Sequence, residues 1–115
     1  MRRGEIWLVD LDPVRGAEAN KPRPAVIVSN DAANSTAEQL GRGVVTVVPV
    51  TSNVRRVHPF QILLPAEETG LHTDSKAVAE QVRSVDAQRL SSHIATVPPR
   101  LMTDLGDALR IHLAL

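Results

Sequence analysis

Three short segments carry the side chains from which a reactive site could be built. Residues 16–24 read GAEANKPRP and set Glu18, Lys21 and Arg23 on the approach to an apolar stretch. Because Arg23 precedes Pro24, its backbone is held extended, and the strand that follows aims its side chain. Residues 49–53 read PVTSN, so Thr51, Ser52 and Asn53 stand where an apolar run ends. Two hydroxyls and an amide in that place can donate to an anion. Residues 80–83 read EQVR and put Glu80, Gln81 and Arg83 in a dense polar stretch within apolar surroundings. The chemistry these groups share is the binding of an anion beside a carboxylate. Taken singly, each also has an ordinary reading: a surface ion pair for Arg23, a turn hydroxyl for Thr51, a structural pair for Glu80 and Arg83.

Other chemistries find little support. Cysteine is absent, which removes disulfides, thiolate metal sites and cysteine nucleophiles. His58, His72, His93 and His112 stand apart from one another, without the spacing of a metal motif. Asp10 and Asp12 read as turn caps and Glu67–Glu68 as a solvated pair. No glycine-rich phosphate loop, dinucleotide fingerprint or G-x-S-x-G elbow occurs, so neither a metal nor a cofactor is expected. The charge is neutral, 13 basic against 13 acidic groups, which argues against a protein that coats nucleic acid nonspecifically. Eleven of the 13 cations are nonetheless arginine, whose planar fork suits phosphate. The aromatics are Trp7 and Phe60 alone, too few for a broad base-stacking platform. No apolar run approaches the length of a membrane span, and the expectation is a soluble, cytoplasmic protein without membrane contacts.

These residues need elements to position them. Strands are expected at 4–11, 24–29, 44–50, 60–64 and 76–82, with a long loop at 12–21 and another at 67–75. The continuous apolar run at 24–29 predicts burial on both faces of its strand. Residues 76–82 (KAVAEQV) suit helix or strand, and their neighbours favour strand. Pro49 has no N–H to give, so the pairing should change near it. A short helix at 30–40 is capped by Asn30 or Asp31 and broken by Gly41 and Gly43. From Pro98 the period turns helical, with Leu101, Leu105, Leu109 and Leu113 forming one stripe. The sum is one α+β domain over residues 1–115: a small, mostly antiparallel five-stranded barrel with a C-terminal helix.

In their order along the chain, four blocks resemble the MazF/PemK family of toxin endoribonucleases: RGEIW from Arg3, GAEANKPRP, PVTSN and EQVR. The likeness runs from Arg3 to the terminal helix. It implies an SH3-like barrel shared with CcdB-type toxins, a symmetric homodimer, and metal-independent cutting of single-stranded RNA at short sequences. It further implies a cognate, MazE-like acidic antitoxin, with DNA met only through the antitoxin complex. In that chemistry the ribose 2′-OH attacks the neighbouring phosphate and leaves a 2′,3′-cyclic phosphate and a 5′-OH.

The resemblance assigns Arg23 to the scissile phosphate, Thr51 to a phosphate oxygen, and either Glu18 or Glu80 to the proton of the 2′-OH. It places Lys21, Ser52, Asn53, Arg55, Arg56, His58, Phe60, Gln81 and Arg83 along the RNA, with Phe60 the aromatic available to stack on a base. A family branch has arginine two positions before the acidic residue, where this chain has Val78, so schemes built on that arginine do not transfer. Two other classes share the barrel. A topoisomerase-poisoning toxin of the CcdB kind would leave Glu18, Arg23 and Thr51 without a task. An SH3-like adaptor needs an aromatic-lined groove, which two aromatics cannot supply.

Overall fold

The apolar run after Arg23 organises the rest of the chain. In the computed structural model, which describes residues 1–11 and 21–115, it forms strand β2 (Arg23–Ile27). Ala25 and Ile27 enter one apolar cluster, and Val26 enters another together with Val28. Strand β3 (Val44–Thr51) repeats the division: Val45 and Val47 lie on one side, Val48 and Val50 on the other. Period-two alternation with both faces apolar is the pattern of a strand buried from both sides.

Five further strands join these two, all pairings antiparallel, to make a seven-stranded sheet among the described residues. Strand β1 (Glu5–Val9) lies between β2 and β7 (Leu90–Thr96), and β4 (Gln61–Leu64) pairs with β5 (Ser75–Val78). Strand β3 pairs with β2 along one edge. Along its other edge it pairs first with β6 (Arg83–Asp86) and then with β5. The change of partner falls across Val48 and Pro49, as the missing proline donor requires.

That change corrects the expectation of one strand over 76–82. Val50 stands opposite Ala77 and Val47 opposite Arg83. An unbroken antiparallel ladder would set Glu80 opposite Val47, so three residues are inserted between the two pairings. They are taken up by a single 3₁₀ turn at Ala79–Gln81. Among the described residues the strand count rises from five to seven through β6 and β7. Each buries a single residue, Val85 and Ala95 respectively, so neither shows an apolar alternation. The stretch expected as a loop from residue 67 begins inside a one-turn helix α2 (Ala66–Thr69).

Helix α1 (Asp31–Leu40) starts at Asn30, whose side chain accepts the Ala33 N–H at 2.8 Å. It stops at Gly41, which adopts the left-handed conformation that glycine tolerates without strain. Helix α3 (Pro99–Leu113) buries Leu101, Leu105 and Ala108 against one core, with Leu109 partly covered. Leu113 does not continue the stripe and is exposed. Each fully buried aliphatic side chain contributes roughly 1.5–3 kcal/mol. Exposed ion pairs such as Arg100–Glu68, at 2.6 Å between α3 and α2, contribute about 0–1 kcal/mol. The two cores therefore hold the fold.

The RGEIW block is structural. Gly4 has φ +95°, and a Cβ there would sit 3.4 Å from Met102 of α3. Glu5 accepts the Trp7 indole N–H at 2.9 Å and the Arg2 backbone N–H at 3.0 Å. His93 of β7 stacks on Trp7 and brings Nδ1 to 3.8 Å from Glu5. Burial works against ionising Glu5, but these donors, with His93 and the chain's amino group, hold its carboxyl below the usual value.

Candidate active site

The jog between β5 and β6 opens a cleft of about 590 Å³ on the face where β3 changes partners. Its wall takes side chains from five strands and one turn. Arg23 enters from the first position of β2, Thr51 from the last of β3 and Asn53 from just beyond it. Lys76 comes from β5, Arg83 from β6, and Glu80 and Gln81 from the 3₁₀ turn. Gln61, the first residue of β4, closes the inner side. Lys76 stands directly opposite Thr51 in the β3–β5 ladder, and its ammonium donates to the Arg56 carbonyl at 2.6 Å.

Three cations and one carboxylate thus line the cleft among the described residues. That balance suits a phosphodiester, whose charge is met without neutralising the carboxylate. Thr51 Oγ1 accepts the Asn53 backbone N–H at 3.2 Å, which fixes the hydroxyl oxygen and leaves its proton to donate. Arg83 gives one N–H to the Leu11 carbonyl at 2.9 Å and so is braced with its remaining donors available. Glu80 Oε2 accepts from the Gln61 amide at 2.6 Å. Its other oxygen, Oε1, is buried without a hydrogen-bond partner among the described residues. A carboxylate whose second oxygen makes no hydrogen bond among the described residues keeps lone pairs that can take up a proton.

The structure therefore gathers Arg23, Thr51, Asn53, Glu80, Gln81 and Arg83 at one place. Ser52 lines an adjoining hollow of about 300 Å³ whose wall also includes Arg23 and Thr51. Glu18 lies outside the described residues. Lys21 is exposed ahead of β2, and Arg55 and Arg56 are exposed on the connection from β3 to β4. None of these three borders the cleft. His58 and Phe60 stack on each other at the end of that connection, ring centroids 5.1 Å apart and planes 2° from parallel. Phe60 thus packs on His58 and joins neither the cleft nor the core.

The match to the family model is the deciding comparison. Residues 2–113 match the family described as the PemK-like, MazF-like toxin of type II toxin–antitoxin systems. The chain belongs to this family. It is 61% identical to Endoribonuclease MazF9 of Mycobacterium tuberculosis over 115 residues, which cover 100% of this chain and 98% of that protein. To Endoribonuclease EndoA of Bacillus subtilis it is 30% identical over 116 residues, covering 100% of this chain and 96% of the relative. A crystal structure of a MazE–MazF pair from Deinococcus radiodurans superposes with a TM-score of 0.80 at 26% identity, covering 100% of this chain and 96% of that one.

Against that family background, the sequence reading overlooked two cleft residues, Lys76 and Gln61. Lys76 sits inside KAVAEQV, two and four residues before Val78 and Glu80, and all three line the cleft. Strand periodicity up to the turn was the signal. Gln61 interrupts the apolar run FQILL and is 7% exposed. A buried amide in a short apolar strand must find partners, and that requirement marks it.

Proposed function

We propose that this PemK/MazF-family toxin cuts single-stranded RNA within specific short sequences, without a metal, by attack of the ribose 2′-OH on the adjacent phosphate. The 2′-oxygen bonds to phosphorus, the bond from phosphorus to the 5′ oxygen breaks, and a 2′,3′-cyclic phosphate and a 5′-OH result. The 2′-OH proton passes to a carboxylate, and the departing 5′ oxygen takes a proton from water. The observation that carries the reading is the cleft itself, whose wall holds the Glu80 carboxylate together with Arg23, Lys76, Arg83 and Thr51. Arg23 clamps the phosphate and stabilises the charge that gathers on the phosphorane; its guanidinium is too weak an acid to be the main proton donor. Thr51 donates to a phosphate oxygen. Glu80, the carboxylate that lines the cleft among the described residues, is the proton acceptor in this reading.

Flanking phosphates and bases lie along Lys21, Ser52, Asn53, Gln81 and the connection bearing Arg55, Arg56, His58 and Phe60. Unpaired bases are what such loops can reach, so structured RNA is a poor substrate. Messages are met in the cytoplasm, and a MazE-like acidic antitoxin blocks the same cationic cleft. Incubating the purified protein with a long single-stranded RNA in EDTA gives discrete fragments. An intact RNA would overturn the reading and leave a non-catalytic toxin of the CcdB kind.

The working unit is a symmetric homodimer. Strand β7 is an edge with Ile94 exposed, and Ile111 and Leu113 of α3 are 58% and 49% exposed. Two-fold pairing is the commonest way to cover such edges and faces. Light scattering at micromolar concentration yields about twice the 12.5 kDa chain mass, and a value near 12.5 kDa refutes the dimer.

A further inference from the structure

Gln61 is the most buried polar side chain around the cleft, and its two ends are tied differently. Its carbonyl oxygen Oε1 accepts the His58 backbone N–H at 3.1 Å. A backbone N–H can only donate, so this contact fixes which end of the amide is oxygen and which is nitrogen. The NH₂ end is thereby aimed at Glu80 and donates to Oε2 at 2.6 Å. The backbone N–H of Gln61 also returns to the His58 carbonyl at 2.8 Å, which locks the residue to the turn that ends the β3–β4 connection.

We propose that Gln61 is a positioning residue, which holds Oε2 of Glu80 and so fixes the carboxylate in the cleft wall where it takes the 2′-OH proton. The inference rests on Glu80 being the proton acceptor. An amide N–H offers Glu80 only a donor, and this suits the ionised carboxylate that a base must be. The charged groups that line the cleft with Glu80 among the described residues are Arg23 from β2, Lys76 from β5, whose ammonium donates to the Arg56 carbonyl at 2.6 Å, and Arg83 from β6. Strand β3 contributes the neutral Thr51 and Asn53, and β4 contributes Gln61, with His58 behind it. Helix α3 turns Leu101, Leu105 and Ala108 into the core on the far side of the turn. Gln61 is therefore the neutral group that sets the orientation of Glu80 within a cationic surround.

Two variants test this against Glu80→Gln, with melting curves confirming the fold. Gln61→Glu keeps the volume and the acceptor for His58 but replaces the donor with a second acidic oxygen. Two carboxylates sharing a site hold on to a proton. The acid limb of the kcat/KM profile then moves to higher pH by about one unit or more. Gln61→Met keeps length and apolar packing while removing both contacts. Its kcat falls by about 10- to 100-fold, since small misplacements at a reacting centre cost that much, while KM stays within about twofold. A Gln61→Glu profile identical to the parent's overturns the proposal whatever Gln61→Met does; if Gln61→Glu does not fold, an unchanged kcat in Gln61→Met overturns it. A Glu80→Gln protein that cuts at the parental rate overturns the proton-acceptor reading itself. An inactive Glu80→Gln beside an unchanged Gln61→Glu overturns the positioning role alone.

Discussion

Arg23→Ala keeps the parental melting temperature and cuts single-stranded RNA at least about 100-fold more slowly. The first half follows from placement. Arg23 is the exposed opening residue of β2, opposite Val9 at the end of the β1–β2 ladder, and removing its side chain leaves no cavity in either core. Surface substitutions of this kind change stability by about 0.5 kcal/mol or less. The second half follows from where charge develops. As the 2′-oxygen bonds to phosphorus, negative charge gathers on the non-bridging oxygens, and a fixed cation stabilises that state more than the starting diester. Removing one such preorganised donor typically costs about 10² to 10³ in rate. Arg23 borders both the main cleft and the adjoining hollow, so its loss strips the wall they share. Arg23→Lys restores part of the charge but not the two-pronged hydrogen bonding, so it recovers only part of the rate. Thr51→Ala costs less, because a neutral hydroxyl gives a weaker hydrogen bond than a charged donor. Rates measured beside melting curves decide the matter: an Arg23→Ala protein that folds and cuts at parental speed removes the clamp from the mechanism.

Much of this site was legible in the sequence because its residues sit at breaks in apolar runs. Arg23 and Thr51 bracket strands that are buried on both faces, and a polar side chain at such an end has only the rim to occupy. Pro49 announced the change of partner along β3, and that change opens the cleft. The 3₁₀ turn was not legible. The residues of KAVAEQV suit a strand equally well, and only the register of two separate ladders requires three extra residues there. Strands β6 and β7 were missed for a related reason. RSVD and LSSHIAT bury one residue each and gain their order from pairing with β3 and β1, not from a pattern of their own. Lys76 and Gln61 show the same limit from the side of function. Each joins the site through a cross-strand or cross-turn neighbour distant in sequence: Thr51 for Lys76, Glu80 for Gln61.

A single deoxyribose on the 5′ side of the cut stops cleavage at that site, while binding changes by about twofold or less. The nucleophile in the proposed reaction belongs to the substrate. A 2′-OH held beside its own phosphate acts at an effective concentration that intramolecular reactions place at about 10⁵ M or above. Replacing it with hydrogen removes that advantage and leaves Glu80 with no proton to accept. The phosphate stays in place for Arg23, Lys76 and Arg83, and the base edges stay in place for the loops, so affinity is nearly preserved. Saturating EDTA leaves the rate on the all-ribose strand unchanged, because the cations in this scheme are side chains. Mass spectrometry of the fragments reads the mechanism directly. A 2′,3′-cyclic phosphate on the upstream piece and a 5′-OH on the downstream piece are the expected ends. A 5′-phosphate on the downstream piece would instead show that water attacked the phosphorus. Activity lost in EDTA and regained with added Mg²⁺ would assign that attack to a metal-bound water, and the substrate's hydroxyl would then have no part in the reaction.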